Sequence, residues 1–160
     1  MTPLTFKADS DEFRILRDWW SDLQNDRGAR AELRRCATPN EAALVPTVNR
    51  LCLKFGVGAK YLPRIGALAA LAAHIERIEV EDSLAEAMAC GSDRPRLSEF
   101  RFRRLIQCQD LEELFTLLRR ALVMLDRQAN LQNLAYSLWF WPSDQTRQRW
   151  ALDYYRKLSV

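Results

Sequence analysis

The chain has 160 residues, 48% of them hydrophobic and 28% charged, with a formal net charge of +3. That length allows one domain or two small helical lobes around a real core, and that balance excludes a disordered chain. No apolar run approaches the roughly 20 residues that span a bilayer, and M-T-P-L-T-F-K-A-D-S-D-E-F lacks the apolar core of a signal peptide.

In chain order, nearly every segment has helical periodicity and a recognisable start. Asp9 with Glu12 resembles a capping box, followed by Phe13, Leu16, Trp20 and Leu23 on one stripe. Asp26-Arg27-Gly28 reads as a turn, with the next helix beginning near Gly28. Thr38–Glu41 supplies a cap residue, a proline at the first helical position and a glutamate at the third. After Pro46, Val48, Leu51, Cys52 and Phe55 continue the pattern until Gly56 stops it. An alanine-rich segment carries Leu68, Leu71, Ile75 and Ile78. Ser83–Glu86 opens a short helix closed by Gly91, and Asp110–Glu113 opens the clearest one, with Leu114, Phe115, Leu118, Leu122 and Leu125 inward. Leu131, Leu134 and Leu138 lead to the breaker Pro142; Ser143 or Asp144 then caps a last helix carrying Trp150, Tyr154 and Leu158. No convincing alternating strand is present. The expectation is an all-α fold, a compact multi-helix bundle forming a single helical domain over residues 1–160. Two packed lobes with a joint near residues 91–97 are the alternative.

The charge is unevenly distributed. Of 24 basic residues only Lys7, Lys54, Lys60 and Lys157 are lysine. Arginine's planar fork suits bidentate phosphate contacts, although genomic composition bias explains an arginine excess equally well. Residues 27–35 set Arg27, Arg30, Arg34 and Arg35 against Glu32, and residues 94–104 set five arginines against Glu99; six acids and only Arg77 fill residues 72–93. On a helix, Arg27, Arg30 and Arg34 fall within about 60° of arc, opposite Ala29, Leu33, Cys36 and Ala37. Their mutual repulsion calls for acids from elsewhere or for phosphates. In the second cluster Phe102, Leu105 and Ile106 make a core stripe, while Arg103 and Arg104 point elsewhere and Arg101 sits at the edge. Aromatics among arginines stack bases in single-strand binders, but this spacing favours core packing for Phe100 and Phe102. Arg119–Arg120, Arg147–Arg149 and Arg156–Lys157 add basic pairs. A solvated face accounts for any one cluster; several together point to polyanion binding. With no Asn or Gln beside Arg on a recognition helix, they suit phosphate tracking rather than base reading.

Catalytic chemistry has no constellation to rest on. His74 lies within an apolar helical pattern without a serine or cysteine at a suggestive spacing, and F-G-V-G-A-K at Phe55–Lys60 fits neither phosphate-loop nor dinucleotide fingerprints. Glu79, Glu81 and Asp82 read as a solvated acidic patch. Cys36, Cys52, Cys90 and Cys108 are too widely spaced for a zinc site. The expectation is a cytoplasmic protein with reduced thiols and neither enzymatic activity, metal nor cofactor.

W-W-S-D-L-Q-N-D-R-G-A-R-A-E-L-R-R-C, S-E-F-R-F-R-R-L-I, L-L-R-R-A-L and L-A-Y-S-L-W-F-W-P, between about Phe13 and Tyr155, together resemble the CasB family. That family is the small subunit of the type I-E CRISPR Cascade surveillance complex. The resemblance implies an all-helical, two-lobed, non-catalytic subunit. Two copies, as a homodimer, would lie head to tail against the crRNA-bearing backbone subunits and the large subunit. It also implies binding to nucleic acid without sequence preference: crRNA and target DNA, above all the single strand displaced in the R-loop. Matched residue by residue, the family's basic positions fall on Arg34 and Arg35, on Arg50, on Arg101, Arg103 and Arg104, and on Arg119 and Arg120. Ser83–Glu86 departs from the family pattern, with Glu86 where a basic residue is expected. Two other readings stand beside this one: an assembly module whose arginines pair with acidic partners, and a stand-alone helical regulator.

Overall fold

The computed structural model describes residues 3–158. Among them the chain forms α1 (Asp11–Leu23), α2 (Arg27–Arg35), α3 (Pro39–Ala42), α4 (Pro46–Phe55), α5 (Leu62–Ala73), α6 (Leu84–Ala89), α7 (Glu99–Gln107), α8 (Leu111–Met124), α9 (Leu131–Phe140) and α10 (Asp144–Leu158). A 3-10 turn at Ala59–Tyr61 leads into α5. No strand forms among the described residues, where one parallel bridge pairs Arg77 with Gln128. The fold is all-α. No described helix is long and apolar enough to cross a membrane.

The helix starts follow from short polar side chains that satisfy otherwise orphaned backbone N–H groups. Thr38 accepts from Glu41 N, Asp110 from Glu113 N and Asn130 from Asn133 N. Ser83 and Glu86 close a full capping box. Ser143 Oγ, rather than Asp144, accepts from Thr146 N at 3.3 Å. Two boundaries differ from expectation. Ser10, not Asp9, caps α1, accepting from Phe13 N at 3.2 Å. Glu12 instead turns back to accept the backbone N–H groups of Thr5 and Phe6. At the second boundary, Asp26 caps α2 through Ala29 N at 3.1 Å, which brings Arg27 into the helix.

A helix with almost no polar face needs neighbours all round. That is α5, in which Ile65 to Ala73 are all buried; α1, α2, α3, α4, α8 and α9 pack around it. It is shorter than the apolar periodicity suggested, ending at Ala73 so that Ile75 and Ile78 lie in the following connection. The reason is that Glu76 N donates to Arg127 O at 2.7 Å, outside the helix, and so cannot continue the ladder. The small residues allow close approach. A Cβ at Gly66 would lie 2.9 Å from Ala43 N and 3.0 Å from Pro39 O, backbone atoms of the α3 segment.

Elsewhere α10 packs along α6 and touches α7. Tyr154 of α10 is fully buried; it donates to Leu97 O at 2.7 Å and stacks on Phe102, with ring centroids 3.9 Å apart. This fixes the start and the inner face of α7. Gly91 allows the loop before it to fold tightly, because a Cβ there would lie 1.8 Å from Arg94 O.

Gly66→Ala tests the crossing of α3 over α5. Despite alanine's better helix propensity, overpacking against fixed backbone should lower unfolding free energy by about 1–3 kcal/mol in urea titration. Gly58→Ala, at a position with nothing within 4 Å of the added carbon, should leave the midpoint within error.

Candidate nucleic-acid interface

The arginines of α2 divide into two groups. Arg27 and Arg35 are exposed, whereas Arg30 and Arg34 are half-buried. Arg30 Nε donates to Ala73 O at 3.3 Å, at the carboxyl end of α5. The preceding carbonyl, Ala72 O, accepts from Trp20 Nε1 at 3.1 Å. Arg127 Nη1 reaches His74 Nδ1 at 3.1 Å and His74 O at 3.5 Å. Arg119 Nη1 and Nη2 donate to Cys36 O and Arg34 O, each at 3.1 Å, closing the carboxyl end of α2. Cations at the negative ends of helix dipoles are stabilising, so the end of α5 gives Arg30 relief from repulsion, and Glu76 supplies Arg34 with an opposing charge.

His74 sits among these four arginines and is 6% exposed. Burial, then Arg119, Arg34, Arg127 and Arg30, push its pKa down to about 4. A guanidinium only donates, so Nδ1 is the acceptor and the proton resides on Nε2, which has no partner among the described residues. Burial also lowers the pKa of Arg34, with Arg127 and Arg30 adding to the effect.

The arginines of α7, and Arg120 of α8, face outward. Arg101, Arg103, Arg104 and Arg120 are exposed, and none makes an ion pair among the described residues. Arg101, Arg104 and Arg120 line a cleft of about 410 Å³ between the two helices, floored by Leu97, Leu105, Leu117, Ala121 and Met124. A second cleft of about 850 Å³ shares Arg101 and Met124 with it and adds Arg94 and Arg96. A third, of about 510 Å³, lies over Phe100, Arg103 and Arg104. Arg96 approaches Asp126 at 3.6 Å, with both side chains substantially exposed, a pairing worth little in water. Helix α8 thus turns adjacent arginines two ways, Arg119 onto α2 and Arg120 into the cleft with α7.

Of the residues singled out from sequence, Arg101, Arg103, Arg104 and Arg120 come together on these clefts. Arg30, Arg34 and Arg119 gather around the α2 and α5 carboxyl ends. Arg50 stands apart on α4, in a small cleft with Asp22, Asp26 and Lys54. Sequence reasoning missed Arg127, whose isolation in the chain gave no signal; its left-handed backbone, φ 59°, arises from the α8–α9 turn. It also grouped Phe100 with the core, whereas Phe102 is fully buried and Phe100 is 80% exposed. Position alone could have separated them, since Phe100 lies off the stripe of Phe102, Leu105 and Ile106. The four cysteines are free thiols, and no three His, Cys, Asp or Glu side chains converge among the described residues.

The sequence profile described as CRISPR-associated protein Cse2 matches residues 29–155. The chain belongs to the Cse2 family. Its fold is similar to a chain of E. coli Cascade bound to a PAM-containing double-stranded DNA target, with a TM-score of 0.72 and 25% identity over 93% of this chain and 97% of that one. It is equally similar to CasB from Thermus thermophilus, with a TM-score of 0.72 and 26% identity over 92% and 99% of the two chains. No curated protein sequence matches. The family and both structures agree with the resemblance read from the sequence motifs.

The imidazole gives a pH test. An unfolded chain protonates His74 near pH 6.5, while the folded chain resists until about pH 4. Its contribution to stability is therefore present above about pH 6.5 and is lost as pH falls towards 4. In His74→Asn, whose side-chain oxygen can still accept from Arg127, the urea midpoint should fall less between pH 6.5 and 4.5 than in the parent. Parallel pH profiles would show that His74 does not titrate in this way.

Proposed function

We propose that this chain is the non-catalytic small subunit of a Cascade complex. It holds the phosphate backbone of nucleic acid without reading bases and stabilises the R-loop formed when crRNA pairs with target DNA. The observation that carries the reading is the set of adjoining clefts on α7 and α8, edged by exposed arginines with a single weak ion pair among them. Guanidinium groups free of carboxylate partners are available to phosphates at no cost in broken ion pairs. Family membership supports the same reading, and the similar E. coli chain comes from a Cascade bound to DNA. In such complexes base pairing reads the sequence, while exchange of a DNA duplex for an RNA–DNA hybrid is nearly balanced in energy. Modest contacts to the displaced single strand can then tip the equilibrium. On this reading Arg101, Arg103, Arg104 and Arg120 are the main strand contacts, while Arg27, Arg35 and Arg50 are exposed outside these clefts and offer further phosphate contacts. Arg30 and Arg119 hold the scaffold, and all three of Arg30, Arg34 and Arg119 add positive potential.

A second role fits beside the first. Leu44 and Leu53, 82% and 78% exposed, lie on and beside α4. Neither lines the three arginine clefts, so they suit contact with other Cascade subunits, the large and backbone subunits or a second copy of this chain.

Binding of mixed-sequence single-stranded DNA should weaken steeply with salt. Replacing Arg101, Arg104 and Arg120 together with alanine should weaken it uniformly across sequences and reduce the salt slope by about 2, at roughly 0.7 per lost phosphate contact. An unchanged slope would remove these residues from the interface. Arg119→Ala should behave differently: a loss of about 1–3 kcal/mol in unfolding free energy from two unpaired carbonyls, with strand affinity near that of the parent in the folded protein.

A further inference from the structure

We infer that Phe100 is a stacking platform for a nucleobase of the bound single strand, so that the arginine clefts hold bases as well as phosphates. This inference rests on the reading of those clefts as a strand-binding surface, and goes beyond it in assigning a base subsite to a named aromatic.

Phe100 is 80% exposed, while Phe102, two residues on, has no exposed surface and stacks on Tyr154. Helix α7 is therefore fastened by one aromatic and presents the other to solvent. Its first turn is further fixed by Ser98, which accepts from Arg101 N at 3.3 Å. Phe100 stands on a rigid base, so little ordering entropy opposes a ring stacking on it. Its own ring takes part in none of the aromatic or cation–π contacts among the described residues.

Phe100 and Arg104, one helical turn apart, form the ridge shared by the 410 Å³ and 510 Å³ clefts. Arg103 lies on one side of that ridge, and Arg101 and Arg120 on the other. Side chains three and four residues apart on a helix have Cβ atoms about 5–6 Å from one another, which puts guanidinium groups within reach of the phosphates flanking a stacked base. The 410 Å³ cleft has an apolar floor and three arginines, with no carboxylate in its lining. Only Glu99, which accepts from Tyr155 OH at 3.3 Å, edges the other. An apolar floor with an all-cationic rim suits a strand of bases and phosphates better than an ordinary protein surface, where such a rim demands acids and rejects lysine and arginine. Every base has a π-face, so a stacking platform adds affinity without sequence preference.

The test uses the full chain with Phe100→Leu and Phe100→Trp, a fluorescein-labelled single-stranded DNA of mixed sequence, and an abasic strand of equal length with the same phosphates. Because Phe100 is exposed, both variants should keep the parent thermal transition. The parent should bind the base-bearing strand more tightly than the abasic one. Phe100→Leu should lose at least fivefold in affinity for the base-bearing strand, about the lower bound for one stacked base. It should lose nothing for the abasic strand and keep its salt slope, and Phe100→Trp should restore binding. Equal affinities of Phe100→Leu and parent for the base-bearing strand would overturn the stacking role while leaving salt-dependent phosphate binding intact. Absence of salt-dependent binding to either strand would overturn both readings. If Phe100→Leu instead lost binding to another Cascade subunit, with strand affinity unchanged, the platform would be a protein contact and the inference would fall.

Discussion

The carboxyl end of α5 is the point on which the molecule's organisation turns. A helix buried on all sides cannot give its last carbonyls to water, and unsatisfied buried carbonyls are costly. Three side chains from three separate elements supply the donors: Trp20 from α1, Arg30 from α2 and Arg127 from the α8–α9 connection. Two of these are cations, placed where the helix dipole welcomes them. The solution brings guanidinium groups together, and His74 in their midst remains neutral because a further positive charge there is disfavoured twice, by burial and by its neighbours.

The same device recurs. Arg119 closes the carboxyl end of α2, and Arg64 donates to Leu138 O and to Trp141 O (the latter at 2.9 Å) at the end of α9. Arginine suits this work because one planar fork reaches two carbonyls and stays charged when partly buried. Part of the arginine excess is thus architectural, which separates it from the exposed arginines of α7 and α8. Those have no helix end to satisfy and no acid to pair with, and α8 carries both kinds at adjacent positions. The net charge stays modest because 21 acids offset 24 bases, and the groove is cationic because none of those acids lines the cleft between α7 and α8.

Much of the fold was legible because its signals are local. Thr38, Ser83, Asp110 and the stop at Gly56 rest on capping chemistry within four residues, and each falls where the sequence put it. The end of α5 was not legible, since the hydrogen bond from Glu76 N to Arg127 O joins residues 51 positions apart. For the candidate site, the cluster at residues 101–104 could be read directly, because helical spacing already separates Phe102 from its arginines. The roles of Arg30 and Arg119 could not, because arginines facing carbonyls and arginines facing water look alike in one dimension. Phe100 was misgrouped with the core on its residue type, although at about 100° per residue it falls on the face opposite Phe102.

The central claim is that arginine divides between holding the fold and holding a strand. Arginine-selective modification by a dicarbonyl reagent, located by mass spectrometry with and without single-stranded DNA, tests it most directly. Arg101, Arg103, Arg104 and Arg120 should react readily in the free protein and be protected by the strand, while Arg64 and Arg119 react slowly in both states. Equal reactivity of the two groups in the free protein, or no protection of the α7 and α8 arginines by DNA, would contradict the account.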